Sequence, residues 1–417
     1  MKILFVHQNF PGQFRYSATV LAANTANQVV ALCINAPSYP TPGVTVVRYG
    51  VKRLPAKDIS PLLADFQTKT LRGEAAAAAA LELKKKGFNP DIIVVHPGWG
   101  EQMFLKDVWP QAKMLAFMEF FYRSEGLDTD FDPEFSTDSI SSRTRTRAKN
   151  TNHLMAFDTA DWAYSPTHWQ KSSLPKLYQP TTSVIFDGID TAFIVPDDQA
   201  ILTLPDGRTV KAGDEVLTFV NRNLEPYRGF HIFMRALPAI QRARPNAITL
   251  IVGGDEVSYG SMPKEGKNWR EVMLKEVGDQ LDMSRIAFLG RIPYPTYRSL
   301  IQVSRVHAYL TYPFVLSWSM LESLAAECLV IGSSTPPVKE VLRDGENGLL
   351  VDFFDVDGWV QSISKALERP GDYSPLRTAA RQDILNTYDL NTICLPRQIK
   401  LLKALAAGEN AAALTVI

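Results

Sequence analysis

The chain of 417 residues is long enough for two or three ordinary domains with well-buried cores. It is 46% apolar and 21% charged, and its 44 Lys and Arg equal its 44 Asp and Glu. That balance argues against nucleic acid as a partner, since a phosphate backbone calls for excess positive charge, but a small anion needs only a local cluster of donors.

Three cysteines, Cys33, Cys328 and Cys394, are far apart and odd in number, which fits a reducing, cytoplasmic setting and neither a disulfide framework nor a zinc site. No apolar stretch approaches the roughly 18 residues of a membrane span. Peripheral membrane contact through a first-domain helix stays open. MKILFVHQNF is expected to begin directly as a strand, with no signal peptide before it.

Short apolar runs then alternate with helical segments, the pattern of parallel sheets covered by helices. Strands are expected at 2–6, 29–34, 44–49, 91–95, 113–118, 162–164 and 182–185 in the first half. In the second half they are expected at 216–221, 248–252, 286–289, 306–310, 329–331 and 348–351. Helices are expected at 73–86, 230–243, 269–277 and 318–327, with a last one at 391–408. The alanine run 75–80 is a strong helix former, and Lys84, Lys85 and Lys86 end that helix where cations favour the dipole. Arg143, Arg145 and Arg147 follow an acidic stretch from Glu125 to Asp138, and local charge balance is their expected role. DWAYSPTHW (161–169) reads as packing, with His168 and Trp169 bordering an acceptor cleft as the minority reading.

Both halves open alike: strand ILFV leads into HQNFPGQF and a helix, and strand VLTFV leads into NRNLEPYRGF and a helix. Two such openings predict two Rossmann-like domains, 1–195 and 196–390, with 391–417 a helix returning to the first. Near the seam, LPDGRTVKAGDE reads as a hairpin, Asp-Gly being a tight-turn signal.

Ligands of open α/β sheets bind beyond the carboxyl ends of strands, where loops enter helices and backbone N–H groups face an anion. Three segments qualify. In Phe10-Pro11-Gly12-Gln13, the glycine lets the backbone approach a phosphate. Arg222 and Arg228 bracket a Pro/Gly strand-to-helix loop, and two guanidinium forks can hold a diphosphate. After the strand ending at Thr311, Ser317 is a candidate N-cap, and Glu322 lies about one turn inside, placed for a ribose diol.

Together these residues resemble the family 4 retaining glycosyltransferases of GT-B fold, over nearly the whole chain. The resemblance rests on Arg222 and Arg228-Gly229, on Phe288-Leu289-Gly290-Arg291, and on Glu322 with its following ESLAAECLV segment. It extends to Glu340, Asp344-Gly345-Glu346-Asn347-Gly348 and the Phe186-Asp187-Gly188-Ile189-Asp190 crossover. It implies an α/β fold of two facing Rossmann-like domains with parallel sheets and an interdomain cleft. It further implies a hexosyltransferase using a UDP- or GDP-sugar as substrate, with no cofactor and no metal. Arg222 and Arg228 would grip the diphosphate and Glu322 the ribose. Leu316, Ser317 and Trp318 would supply backbone contacts, Arg291 and Ile292 would lie near the base, and Gly12 would approach the phosphate.

Two departures bear on the sugar. Many members carry a second glutamate eight positions before Glu322, and here that position is Phe314. Many carry a His after the strand that here runs into Glu119; the nearest His in a similar loop is His96, one strand earlier. Sugar or acceptor recognition is therefore expected from Ser317, Trp318, Ser319, His96 and Glu119. The implied mechanism needs no protein nucleophile: the leaving phosphate accepts the acceptor proton, with Glu119 as base the alternative. Asp128-Thr129-Asp130 looks like the metal motif of the other glycosyltransferase fold but reads as an acidic loop. The acceptor would be a polysaccharide, a lipid-linked sugar or a small metabolite. A nucleotide-sugar epimerase and a non-catalytic nucleotide-sugar binder are the competing functions.

Overall fold

Residues 3–6, 29–33 and 92–95 are apolar at every position. Such a strand buries both faces and needs helices on either side of its sheet. The computed structural model, which describes residues 1–56, 58–136 and 139–410, has that arrangement twice.

The chain divides into two compact units: Met1–Gly188 with the segment from Asn391 onward, and Ile189–Leu390. The stretch from Ile189 to Val195, expected in the first domain, belongs to the second. Its backbone explains why: Ile189 donates to Tyr388 O (2.8 Å), while Val195 O accepts from Gln302 (2.8 Å). The last residues of the expected 391–417 segment lie outside the described residues, as does Asp138 of the acidic stretch.

The first unit holds strands β1 (Lys2–Val6), β2 (Gln28–Cys33), β3 (Val44–Arg48), β4 (Ile92–Val95), β5 (Lys113–Phe117), β6 (Trp162–Ser165) and β7 (Thr182–Val184). All pair in parallel, in the order β3-β2-β1-β4-β5-β6-β7. Side chains alternate between the two faces. Ile3, Phe5, Val94 and Phe117 enter one core with Leu401, Leu402 and Leu405 of the helix Leu395–Ala406. Leu4, Val6, Ile93 and Val95 enter another with Ala76 and Ala80 of the helix Pro61–Lys85. The C-terminal helix is therefore a wall of the first unit's core, each buried leucine contributing about 2 kcal/mol. The helix of the alanine run begins at Pro61, well before the expected residue 73, with Pro in its first turn. Leu62 and Leu63 are exposed there, so that turn has no apolar stripe to announce it.

The second unit opens with the hairpin the Asp-Gly turn predicts, β8 (Ile201–Thr203) and β9 (Thr209–Lys211), with Gly207 at φ +88°. Its sheet comprises β10 (Val216–Asn223), β11 (Ile248–Gly254), β12 (Ile286–Gly290), β13 (Val306–Tyr309), β14 (Leu329–Ser333) and β15 (Leu349–Val351). All are parallel, in the order β12-β11-β10-β13-β14-β15. Among the described residues, no helix is long and apolar enough to cross a membrane.

Three of the buried histidines, His7, His153 and His307, are held far from their ordinary protonation. His307 on β13 pairs through Nδ1 with Thr218 on β10 (2.9 Å), and His7 and His153 are buried in the first unit. Burial holds each near a pKa of about 3, helped at His7 by His96 and at His153 by Lys69. An unfolded histidine protonates near 6.5, so below that pH unfolding takes up protons that the native state refuses. Their contribution is intact above about pH 6.5 and is lost toward pH 3, by about 1.4 kcal/mol per pH unit for each histidine. Urea unfolding followed from about pH 7 to about pH 4 should show stability falling on acidification, and His307→Gln should make the fall shallower.

Candidate functional site

In the second unit the strand order reverses between β10 and β13, so the loops leaving them part at that point. A register irregularity between Val220 and Asn223 ends β10, and there Arg222 is exposed, with no hydrogen bond or ion pair among the described residues. The chain then makes a single turn, Pro226–Arg228, closed by Gly229 at φ +68°. A Cβ on Gly229 would stand 2.3 Å from Leu310 Cβ, so conformation and space both require glycine.

That turn carries Arg228 across the point of reversal. Its Nη1 donates to Thr311 Oγ1 (2.7 Å) and to Val315 O (2.9 Å), joining the loops after β10 and β13. The guanidinium lies 5.0 Å from the Tyr259 ring and 5.9 Å from that of Phe314, and the residue is 5% exposed. No carboxylate lies within ion-pair distance among the described residues. The nearby buried Glu225 is spent on the backbone N–H groups of Ser258 (3.0 Å), Tyr259 (3.2 Å) and Gly260 (2.9 Å). Burial works against the Arg228 charge, but Tyr309, Tyr259 and the nearby Glu225 outweigh it and keep the guanidinium protonated, while leaving it without a direct ion pair.

The second loop is only partly open to a ligand. Ser317 caps the helix Trp318–Ala325, its Oγ accepting from Ser319 N (3.3 Å) and sharing a hydrogen bond with Ser319 Oγ (2.9 Å). Ser317 N–H donates to Tyr309 Oη (2.8 Å), so the expected contact from this amide to a phosphate is already taken. Leu316 is buried at the edge, and Trp318 is 44% exposed. Phe314, where a carboxylate was expected, packs against Tyr227 and Tyr259 (centroids 5.6 and 4.9 Å) and covers Arg228. Glu322 is buried and accepts from Tyr294 Oη (2.6 Å). Burial pushes its carboxyl up, against the pull of the Tyr294 hydroxyl. Arg291 hydrogen-bonds Asn223 Oδ1 (3.1 Å) and pairs with Glu256, and Ile292 beside it is half-buried. A Cβ on Gly254 would come within 2.6 Å of that Asn223 oxygen, which accounts for the glycine that ends β11.

The first unit reverses between β1 and β4, and its polar cluster stands at the same point. His7 ends β1, and His96 follows β4. The two rings are 5.4 Å apart, and Trp99 lies 4.7 Å from His7 and 4.5 Å from His96. His7 Nε2 bonds Gln13 Oε1 (2.9 Å), and Gln13 Nε2 donates to Glu119 Oε1 (3.1 Å). Glu119 Oε2 lies 3.6 Å from His96 Nε2. Burial works to raise the Glu119 carboxyl, but His96 and the Gln13 amide outweigh it and hold it below the ordinary range. Gly12 has φ +48°, and a Cβ on it would strike His7 Nε2 at 2.4 Å. The space that glycine leaves is thus filled by an imidazole.

The sequence pairs His96 with Glu119 but passes over His7 and Gln13, although both lie in the loop HQNFPGQF that it singles out. Nor does it single out Tyr259, Tyr294 or Glu225, whose roles appear only when distant loops meet. DWAYSPTHW packs as expected at Trp162, whose Nε1 donates to Ser183 (2.9 Å), and the following Gln170 holds the Glu119 carbonyl (2.8 Å). Arg143 pairs with Glu125 (2.9 Å), the local balance expected. In Asp128-Thr129-Asp130, Asp128 is buried and Asp130 sits at φ +58°, bonded by Ser136 (3.2 Å).

Two family models match this chain. Residues 25–194 match the glycosyl transferase family 4 group, and residues 205–383 match the glycosyl transferases group 1. The chain belongs to the family 4, group 1 glycosyltransferases. D-inositol 3-phosphate glycosyltransferase from Mycobacterium sp. (strain JLS) is 26% identical over 219 residues, 51% of this chain and 46% of that protein. Phosphatidyl-myo-inositol mannosyltransferase of Mycolicibacterium smegmatis is 28% identical over 168 residues, 39% of this chain and 37% of that one. The match thus spans about half the length of these curated relatives or less. Sucrose-phosphate synthase from Thermosynechococcus elongatus shares the fold, with a TM-score of 0.71 at 16% identity over 98% of this chain and 100% of that one. HepE of Anabaena, solved with UDP and glucose, has a TM-score of 0.64 at 15% identity, with the same coverage. The fold is therefore GT-B, an α/β architecture of two Rossmann-like domains.

Because Arg228 has no carboxylate to abandon, Arg228→Met should cost no more than about 1–3 kcal/mol, from leaving Thr311 and Val315 unpaired. It should abolish thermal stabilisation by inorganic pyrophosphate, and Arg222→Ala should weaken that response about tenfold. A melting-temperature titration of the three proteins checks this; an undiminished response in Arg228→Met would remove that arginine from the anion site.

Proposed function

We propose that this glycosyltransferase moves a hexose from a UDP- or GDP-sugar to a hydroxyl acceptor, with retention at the anomeric carbon. The observation that carries the reading is Arg228, a buried guanidinium without a carboxylate partner where the second sheet reverses. A nucleoside diphosphate is an anion suited to such a place, and Arg222, exposed at the end of β10, supplies a second fork. These cations stabilise the charge that grows on the departing diphosphate, and they do so without a cofactor or a metal ion. Glu322, its carboxylate oriented by Tyr294, takes the ribose diol. Leu316 to Ser319 and Arg291 with Ile292 border the sugar and base.

Retention without a protein nucleophile fits Phe314 occupying the place of the family's other glutamate. A general base works best with a pKa near the working pH, whereas Glu119 is held low by its donors. The leaving phosphate is then the better proton acceptor, and Glu119 with His96 binds a hydroxyl. The acceptor is a polysaccharide, a lipid-linked sugar or a small metabolite. Cys33, Cys328 and Cys394 are all buried, which fits a cytoplasmic enzyme.

Hydrolysis and transfer assays across UDP-, GDP- and ADP-sugars, with the product anomer read by NMR, test this reading. Turnover should survive chelation, and Arg228→Met should lower kcat about a hundredfold or more. Glu119→Gln should cut kcat/KM about tenfold without moving the pH optimum, as expected for a hydroxyl ligand and not for a base. Binding without turnover for every donor would instead mark a non-catalytic sugar-nucleotide binder, and product epimers without transfer would mark an epimerase.

A further inference from the structure

We propose that His7 and Gln13 are positioning residues that fix the Glu119 carboxylate, leaving its Oε2 and the His96 Nε2–H as a matched acceptor and donor for one carbohydrate hydroxyl. This rests on the reading that the chain transfers sugars, and it adds two residues that neither the sequence pattern nor the family resemblance assigns.

The chain of hydrogen bonds has one direction. His7 Nδ1 accepts from Asn9 N–H (3.0 Å), so the single proton of the neutral ring must sit on Nε2. That N–H donates to Gln13 Oε1 (2.9 Å), which turns the amide nitrogen toward Glu119 Oε1 (3.1 Å). Read from the other end, an ionised carboxylate only accepts, so Gln13 must offer its NH2 there and its carbonyl to His7. Both ends demand the same orientation. The close approach of Gly12 to the His7 ring and the Gln170 bond to the Glu119 carbonyl (2.8 Å) hold the two ends in place.

The other carboxylate oxygen is left for something else. His96 Nδ1 accepts from Gly98 N–H (3.1 Å), placing the ring proton on Nε2. The residue is 5% exposed, held between Trp99 and Phe117 (4.5 and 5.3 Å). Its Nε2 has no hydrogen-bond partner among the described residues, and Glu119 Oε2, at 3.6 Å, is beyond hydrogen-bonding distance. His96 Nε2 is closed to solvent as it stands, so a hydroxyl must part the two side chains to lie about 2.8 Å from each; there it would accept from His96 and donate to Glu119, completing both at once. An ammonium or a carboxylate satisfies only one of the two. Gln13 matters because it occupies Oε1 and so prevents the carboxylate from rotating to close the gap.

Imidazole 15N spectra of the full chain should place the His7 proton on Nε2 with no titration between about pH 5 and about pH 8. Addition of glucose, mannose or galactose should shift the His96 Nε2–H resonance, and the shift should disappear in Gln13→Met. In transfer assays Gln13→Met should lower kcat about tenfold at unchanged melting temperature and with donor KM within about threefold, as loss of one charge-assisted hydrogen bond implies. His7→Leu should behave alike, His7→Gln should restore most of the activity, and Gln13→Met with Glu119→Gln should be no worse than the worse single variant. A His7 proton on Nδ1, a His7 that charges in this range, or a His96 signal indifferent to all three sugars would each overturn the proposal, whatever the transfer assay shows. Spectra as expected in a protein that transfers no sugar would sink the proposed activity and leave the hydroxyl site standing.

Discussion

A guanidinium that donates to two loops at once, its charge answered by Glu225 only at a distance and not by an ion pair, is the constraint around which the second unit is built. Arg228 reaches Thr311 and Val315 only because Gly229 turns the backbone left-handed against Leu310. Tyr259 can lie over the guanidinium only because Glu225 gathers three amides of its loop. Replacing any of these would change where the guanidinium lies, not merely the contact that was removed. The aromatic faces of Tyr259 and Phe314 offset part of the desolvation, since a ring's negative face favours a cation.

The two units solve the same topological problem with different chemistry. In each, the first strand lies inside its sheet and the order reverses beside it, so two loops diverge there. The second unit fills that place with fixed positive charge, and the first with two imidazoles, an amide and a carboxylate. One suits a diphosphate, the other hydroxyl groups. This division explains why Gly12 and Gly229, in corresponding loops, are required by different neighbours: an imidazole at one, a leucine at the other.

How much of this was legible follows from the range of each interaction. The strands were readable nearly to the residue, because a strand buried on both faces announces itself as an unbroken apolar run. The helix from Pro61 was half hidden, since its first turns expose Leu62 and Leu63. Arg222, Arg228 and Glu322 could be named from their loops and the family resemblance, but nothing local says that Arg228 is buried or that Tyr294 holds Glu322. His7 and Gln13 were missed for the same reason: their meaning depends on Glu119, more than a hundred residues away. Ser317 was recognised as a cap, yet its own amide proved to be taken by Tyr309, a partner on the preceding strand.

The helix Leu395–Ala406 has a consequence for how the molecule comes into being. Leu401, Leu402 and Leu405 complete the same apolar layer as Ile3, Phe5 and Phe117, yet they are made only after the whole second unit. During synthesis the second unit emerges whole, while one face of the first sheet still waits for its cover. The domain begun first is thus finished last, and the nascent chain carries an open apolar surface for the time it takes to translate about two hundred residues, roughly ten to forty seconds. Chaperone dependence and sensitivity to C-terminal truncation should accordingly concentrate on the amino-terminal sheet and not on the second unit.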